Sequence, residues 1–385
     1  MQSKEQYLNL YRECRTLIGQ HSAPVMNVLR DEAHDELLRM GFPTRQAEDY
    51  KYTDVEALLA PDYGLNISRL DIPVNPYDVF KCDVPNMSTS LYFVVNDRFY
   101  TKALPKVALP EGVILGSLKE MAEQYPDLVA KYYGRLADVK TDAITALNTM
   151  LAQDGLLLYV PKGVVVEKPI QLVNILRADV SFMVNRRVLI IIEDMAQARM
   201  LVCDHASDDV DFLATQVVEV VVGRGASFEL YELEETTART HRLSNLYVSQ
   251  EADSNVHING ITLMGGTTRN TSRVTLAGRG AHIDLCGMAI ADGHQHVDNH
   301  TIIDHKVPHC TSNELYKYVL DGEATGAFAG RVLVRKDAQK TISEERNQNL
   351  CVTKEARMYT QPMLEIYADD VKCAHGSTVG QLNDA

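Results

Sequence analysis

Two groups of side chains in this sequence have the makings of a metal site. One is Cys373-Ala-His375. In an extended segment alternate side chains share a face, so thiol and imidazole stand about 7 Å apart along the chain. That is wide for chelating one ion, yet workable for a two-metal unit or a site shared with ligands from another chain. Gly376 follows and lets a partner backbone approach closely. The second group is a run of histidines. Six of the 12 fall between His282 and His309, namely His282, His294, His296, His300, His305 and His309, with Cys310 next. Neutral imidazole and thiolate are borderline-soft ligands for iron, zinc or copper. The plainer alternative places these histidines in loops, on the surface, or in the core bonded to Asp292, Asp298 and Asp304. Their spacing matches no ligand pattern, which favours that alternative. Cys-x-His also occurs by chance, and packing is the commoner role of a buried cysteine. Cys14, Cys82, Cys203, Cys286 and Cys351, in apolar or amphipathic settings, read as packing residues.

No enzymatic signature accompanies these groups. The chain has no P-loop, no G-x-S-x-G, no H-E-x-x-H and no G-x-G-x-x-G after a strand. Gly223-Arg-Gly225 and Gly278-Arg-Gly280 fall at repeat turns, where glycine supplies positive φ.

The elements that must position these residues change character near residue 155. Before it, apolar residues fall at helical spacing: Tyr7, Leu8, Tyr11, Cys14 and Ile18, then Val25, Val28, Leu29, Ala33, Leu37 and Met40. Gly41-Phe42-Pro43 ends the second run, since proline cannot continue a helix. Thr53-x-x-Glu56 and Ser117-x-x-Glu120 read as capping boxes. Residues 66–113 read as irregular with a strand at Leu91–Val95, and a further helix is predicted near Asp142–Leu151. From residue 155 on, short β-branched runs follow one another. A small residue followed by alternating apolar positions recurs at Ala196, Ala226, Ala252 and Ala281, spaced 30, 26 and 29 residues apart, and more closely at Ala338 and Ala356. A loose period near 28 without helices marks a β-solenoid, since a propeller blade needs about 40 residues or more. A β-sandwich with irregular turns is the alternative. The division expected is 1–154, helical and irregular, and 155–385, a right-handed parallel β-helix of roughly eight coils on the order of 40 Å long.

Composition bounds the partners. With 38 basic and 52 acidic side chains the formal charge is −14, which argues against nucleic acid or an anionic membrane surface. Hydrophobic content of 45% excludes wholesale disorder. Val188–Ile192, and Val217–Val222 with Glu219 within it, fall far short of the roughly 20 residues of a membrane span. Met1–Gln20 has no apolar core of a secretory signal, and seven cysteines without C-x-x-C suit a reducing compartment, so a cytoplasmic protein is expected.

Several phrases carry a family resemblance: Asp298–His305, Pro308–Ser312, Phe328–Gly330, Ala338–Thr341 and the long block Pro362–Gly380. Gly41–Arg45 with Glu48–Thr53, Leu147-Asn148, Asp154-Gly155 and Val160–Gly163 extend it upstream. The chain resembles the SufB/SufD family of iron–sulfur cluster assembly scaffolds, nearer its SufD type, with Tyr50 where tryptophan is usual. The resemblance implies a helical region followed by a right-handed β-helix, and a non-enzymatic scaffold subunit. Its implied partners are a SufB-type paralogue and a SufC-type ABC ATPase, which opens the paralogue interface where a nascent cluster is built. At that interface it assigns His375, and more weakly Cys373, as ligands of iron or of the nascent cluster. Sulfur delivery falls to a SufB cysteine. A reduced flavin is linked to the complex without a residue assigned, and the isolated chain is expected to form a homodimer. Members usually continue into a C-terminal helical domain that docks the ATPase. That domain is absent from this chain, so truncation is expected and ATPase docking is in doubt. The alternative function for such an architecture is a β-helix enzyme acting on polysaccharide. The acidic charge and absent secretory signal weigh against it.

Overall fold

Two sheets wound from one ribbon account for the chain from Asp154 onward. The computed structural model describes residues 3–80, 88–102, 104–105 and 108–382; Cys82 lies outside them. Sixteen strands, from Asp154–Val160 to Lys372–Gln381, alternate between a nine-stranded and a ten-stranded sheet. Each pairs in parallel with the strand two places along, so two strands make a coil and eight coils make the solenoid. The helical region and the β-solenoid are as the sequence predicts.

The lumen is the core. Ala198, Phe228, Val256 and Ile283 stack in one register column of the ten-stranded sheet. Val188, Val218 and Leu246 stack in the facing sheet, and all seven are buried in one cluster. Each large apolar side chain so buried stabilises by about 1.5–3 kcal/mol. A one-residue slip would turn the whole column to solvent, and this pins the register. The recurring small residue sits at the bend into a strand, where Ala196, Ala226 and Ala281 are fully buried. One phrase is out of register: Ser227 pairs with Asn255, so Ser254 and not Ala252 matches Ala226. The closer pair also has a cause. Ala338 precedes a strand of the ten-stranded sheet and Ala356 one of the nine-stranded sheet, half a coil later.

The N-terminal helices cover the outer face of the nine-stranded sheet. Ser3–Gln20, Arg30–Met40 and Ala143–Leu151 pack with Met183, Leu213 and Leu243. Leu118–Gln124 and Pro126–Tyr132 pack on Leu157, Leu189 and Ile191. Burial on both faces explains why strands such as Phe212–Val222 read as near-continuous apolar runs. Ala143–Leu151 forms as predicted, and Asp142 caps it by accepting from the N–H groups of Ile144 and Thr145. Ser117 likewise caps Leu118–Gln124. The Thr53 capping box does not form: Asp54 caps Val55–Leu59 instead. The run expected over Val25–Met40 is two helices, Pro24–Asn27 and Arg30–Met40, with Val28 exposed between them. Gly41, at φ 67°, ends the second. No helix among the described residues is long and apolar enough to cross a membrane.

Candidate functional site

Cys373 and His375 lie on Lys372–Gln381, the outermost strand of the ten-stranded sheet, which pairs on one side only, with Ile342–Cys351. The facing strand, Arg357–Ile366, is likewise the outermost of its sheet. Cys373 stands in register with buried Ser343 and packs against the lumenal cluster. Strand alternation puts His375 on that same inward side, in register with Glu345 and, one coil deeper, Glu314. The pair therefore occupies the mouth of the lumen. His375 is exposed and Cys373 half-buried. Burial pushes the Cys373 thiol up, opposed by the Ser343 backbone N–H, so the thiol keeps its proton at neutral pH. Among the described residues, no three His, Cys, Asp or Glu side chains converge as a metal site.

Beneath the mouth the lumen turns polar. Glu314 is 2% exposed; Thr301 Oγ1 donates to its Oε1, and its Oε2 has no hydrogen-bond partner. Glu345 is fully buried and neither of its oxygens has a partner of normal geometry. Burial, and then the Glu314 carboxyl, push Glu345 far above the carboxyl range against a small opposing pull from the Met363 backbone N–H. Burial likewise pushes Glu314 up to about 8. A cleft of about 250 Å³ at this end is lined by Glu345 and His375 together with residues of both their strands.

The raised carboxyl has a consequence for pH dependence. Folded Glu314 holds its proton between its ordinary value of 4.5 and about 8, while the unfolded chain has lost it, so stability falls as pH rises through that window. His305, held down to about 4 by burial, works oppositely below its ordinary 6.5. Between about 6.5 and 8 Glu345, pushed up to about 9, works in the same sense as Glu314, each with a limiting slope of at most about 1.4 kcal/mol per pH unit. Glu314→Gln is expected to reduce that slope without abolishing it in urea titrations at stepped pH, because burial still holds the proton on Glu345; an unchanged slope would show that Glu314 is ionised in the fold.

The histidine run is not one site. His296 and His300 face outward under the N-terminal region. His296 Nε2 lies 2.9 Å from Thr53 Oγ1, which donates to Asp298 at 2.6 Å. Arg269 donates to Asp298 (2.5 Å), to the Asp49 carbonyl (2.6 Å) and to His300 Nδ1 (2.8 Å), and lies over the Tyr50 ring. Burial, and then Arg269, hold His300 well below the usual imidazole range. His305 faces the lumen 2.9 Å from Ser312 Oγ, whereas His294 is exposed. His296 and His300 thus lock the N-terminal region to the solenoid. Cys203 and Cys351 are buried, and Cys14 and Cys286 half-buried. A larger cleft, of about 580 Å³, lies far along the chain between Asn66–Asn75 and Val95–Lys102, where Arg69 pairs with Asp97 and Arg98 with Asp71.

Glu314 and Glu345 escaped the sequence reading. The coil period was the available signal, because Glu314, Glu345 and His375 are spaced 31 and 30 residues apart.

Comparison with known proteins places this architecture. Residues 1–172 match the SufBD protein N-terminal region, and residues 175–385 match the SUF system FeS cluster assembly SufBD core domain. An iron–sulfur cluster assembly SufBD family protein of Synechocystis is 25% identical over 362 residues, covering 92% of this chain and 79% of that protein. The iron–sulfur cluster assembly protein SufD of Escherichia coli is 26% identical over 352 residues, covering 91% and 79%. SufD of Bacillus subtilis is 26% identical over 306 residues, covering 78% and 69%. The chain belongs to the SufBD family of SUF-system iron–sulfur cluster assembly proteins.

Proposed function

We propose that the chain is the SufD-type half of a SUF scaffold, pairing with a SufB-type paralogue so that a nascent cluster is built between them. The observation that carries this reading is the placement of Cys373 and His375 on inward positions of a strand with one unpaired edge. Two donors at a rim suit a tetrahedral iron completed from another chain. The iron–sulfur cluster is thus transient cargo, and the chain is not itself an enzyme. His375 is the principal ligand and Cys373 the weaker one. A SufC-type ATPase is the third member, its docking resting on the family alone; no residue is assigned to flavin. None of the relatives described above is a polysaccharide enzyme, and nothing in the site favours that alternative.

The rim also suits a protein partner. Tyr367, Val379 and Leu382 are each at least half exposed around the outermost strands, beside unpaired backbone N–H and C=O groups that can add a strand. In the partner's absence the same edge pairs with a second copy, giving a homodimer. A charge there is incompatible with strand addition. Val379→Asp is expected to abolish co-elution with the SufB-type protein on size exclusion while leaving the circular dichroism spectrum intact. Undiminished co-elution would move the interface elsewhere.

A further inference from the structure

Glu345 has no structural reason to be a carboxylate. Its facing neighbours on the nine-stranded sheet are Thr301, Gly330 and Pro362, one register column across three coils. Thr301 serves Glu314 and leaves Glu345 with only a small pull from the Met363 backbone N–H, outside normal hydrogen-bond geometry. A buried polar group without a partner costs roughly 1–3 kcal/mol, and a methionine of similar volume would avoid that cost. The backbone nevertheless makes room for the carboxyl: a Cβ built at Gly330 would run into Glu345 Oε1. Glycine at this lumenal position thus makes room for an oxygen without a hydrogen-bond partner of normal geometry.

Glu345 also lines the cleft of about 250 Å³ that His375 lines. Neighbouring strands stand about 4.8 Å apart, and Glu345 and His375 are register partners on the same inward face. An imidazole nitrogen and a carboxylate oxygen so placed are borderline and hard donors, a combination that suits ferrous iron better than a copper or a sulfide-rich cluster. We infer that Glu345 and His375 together form a seat for a single divalent iron at the lumen mouth, a station that precedes cluster building and is completed by water or by the partner chain. The inference rests on the reading of His375 given above and adds a carboxylate from the coil beneath. Cys373, the softer donor, is left for the cluster itself.

The test uses the full chain under anaerobic conditions, titrated with Co(II) as an optical probe for ferrous iron and then with ferrous iron against a competing chelator. Glu345→Gln and His375→Ala should each weaken binding about tenfold or more, the loss typical of removing a group from a metal site. Glu344→Gln, on the outward neighbour, should bind as the parent does. Gly330→Ala keeps both donors but pushes the carboxyl from its cradle. It should weaken binding as well, which guards against a Glu345 variant that misfolds. If Glu345→Gln and Gly330→Ala bind like the parent while His375→Ala does not, the carboxylate seat is overturned and His375 keeps its role. If His375→Ala binds like the parent, the reading of the mouth itself falls.

Discussion

His375→Ala is expected to lower cluster formation in the reconstituted complex by about tenfold or more, while leaving the fold within about 0.5 kcal/mol of the parent. The two halves of that expectation have separate causes. The imidazole is exposed and stands on an outermost strand, so its removal opens no cavity and strands no buried group. On the proposed reading it is one of two donors at the rim, and the neighbouring inward positions, Cys373 and Ser377, offer no second imidazole to replace it. Iron and acid-labile sulfide per complex, with thermal unfolding in parallel, check both halves. A large stability loss would mean that His375 packs rather than binds.

Glu219→Ala carries the largest expected effect on stability, a loss of about 3–5 kcal/mol, the range for breaking a buried ion pair. Glu219 and Arg187 are completely buried and meet at 2.8 Å between the nine-stranded sheet and its helical cover. The carboxylate also accepts the backbone N–H groups of Gly134, Leu136 and Ala137 at 2.9–3.1 Å. Arg187 is fixed in turn by Thr149 Oγ1 and lies over the Tyr133 ring. Truncation thus leaves a buried guanidinium and three amides without their acceptor. For an isolated pair, a matched apolar replacement of both partners can be neutral. Here Arg187→Met with Glu219→Leu should still destabilise, since the three amides remain orphaned. Urea unfolding measures both variants, and a loss under about 1 kcal/mol for Glu219→Ala would show that water replaces the carboxylate.

The solenoid was legible because its cause is local and repeated. Each coil needs a small residue at the bend and alternating apolar residues after it, and Ala196, Ala226 and Ala281 mark that plainly. Ser254 hid in the same role because serine is small enough to fill the bend, while Ala252, two residues earlier, carried the expected letter. The helix Ala143–Leu151 was legible from the spacing of its apolar residues Ile144, Leu147, Met150 and Leu151. Thr53 was misread because a capping pattern is local, whereas its hydroxyl is held by Asp298, 245 positions away. The histidine run is dispersed, as its spacing favoured, although which residues each histidine meets was not legible. Strand alternation sends His296 and His300 outward to Thr53 and Arg269 and sends His305 inward to Ser312. Cys373 and His375 needed only two-residue alternation to be placed on one face. Joining them to Glu345 needed the register between coils, which bends of varying length obscure.

The most direct measurement is co-expression of the chain with SufB- and SufC-type proteins of the same source, followed by size exclusion and anaerobic iron and sulfide analysis, for the parent and for His375→Ala. A stable complex in both cases, with iron and sulfide in the parent and little of either in the variant, is the predicted result. Equal iron and sulfide in the two complexes, or no complex with the SufB-type protein at all, would contradict a cluster built at the lumen mouth.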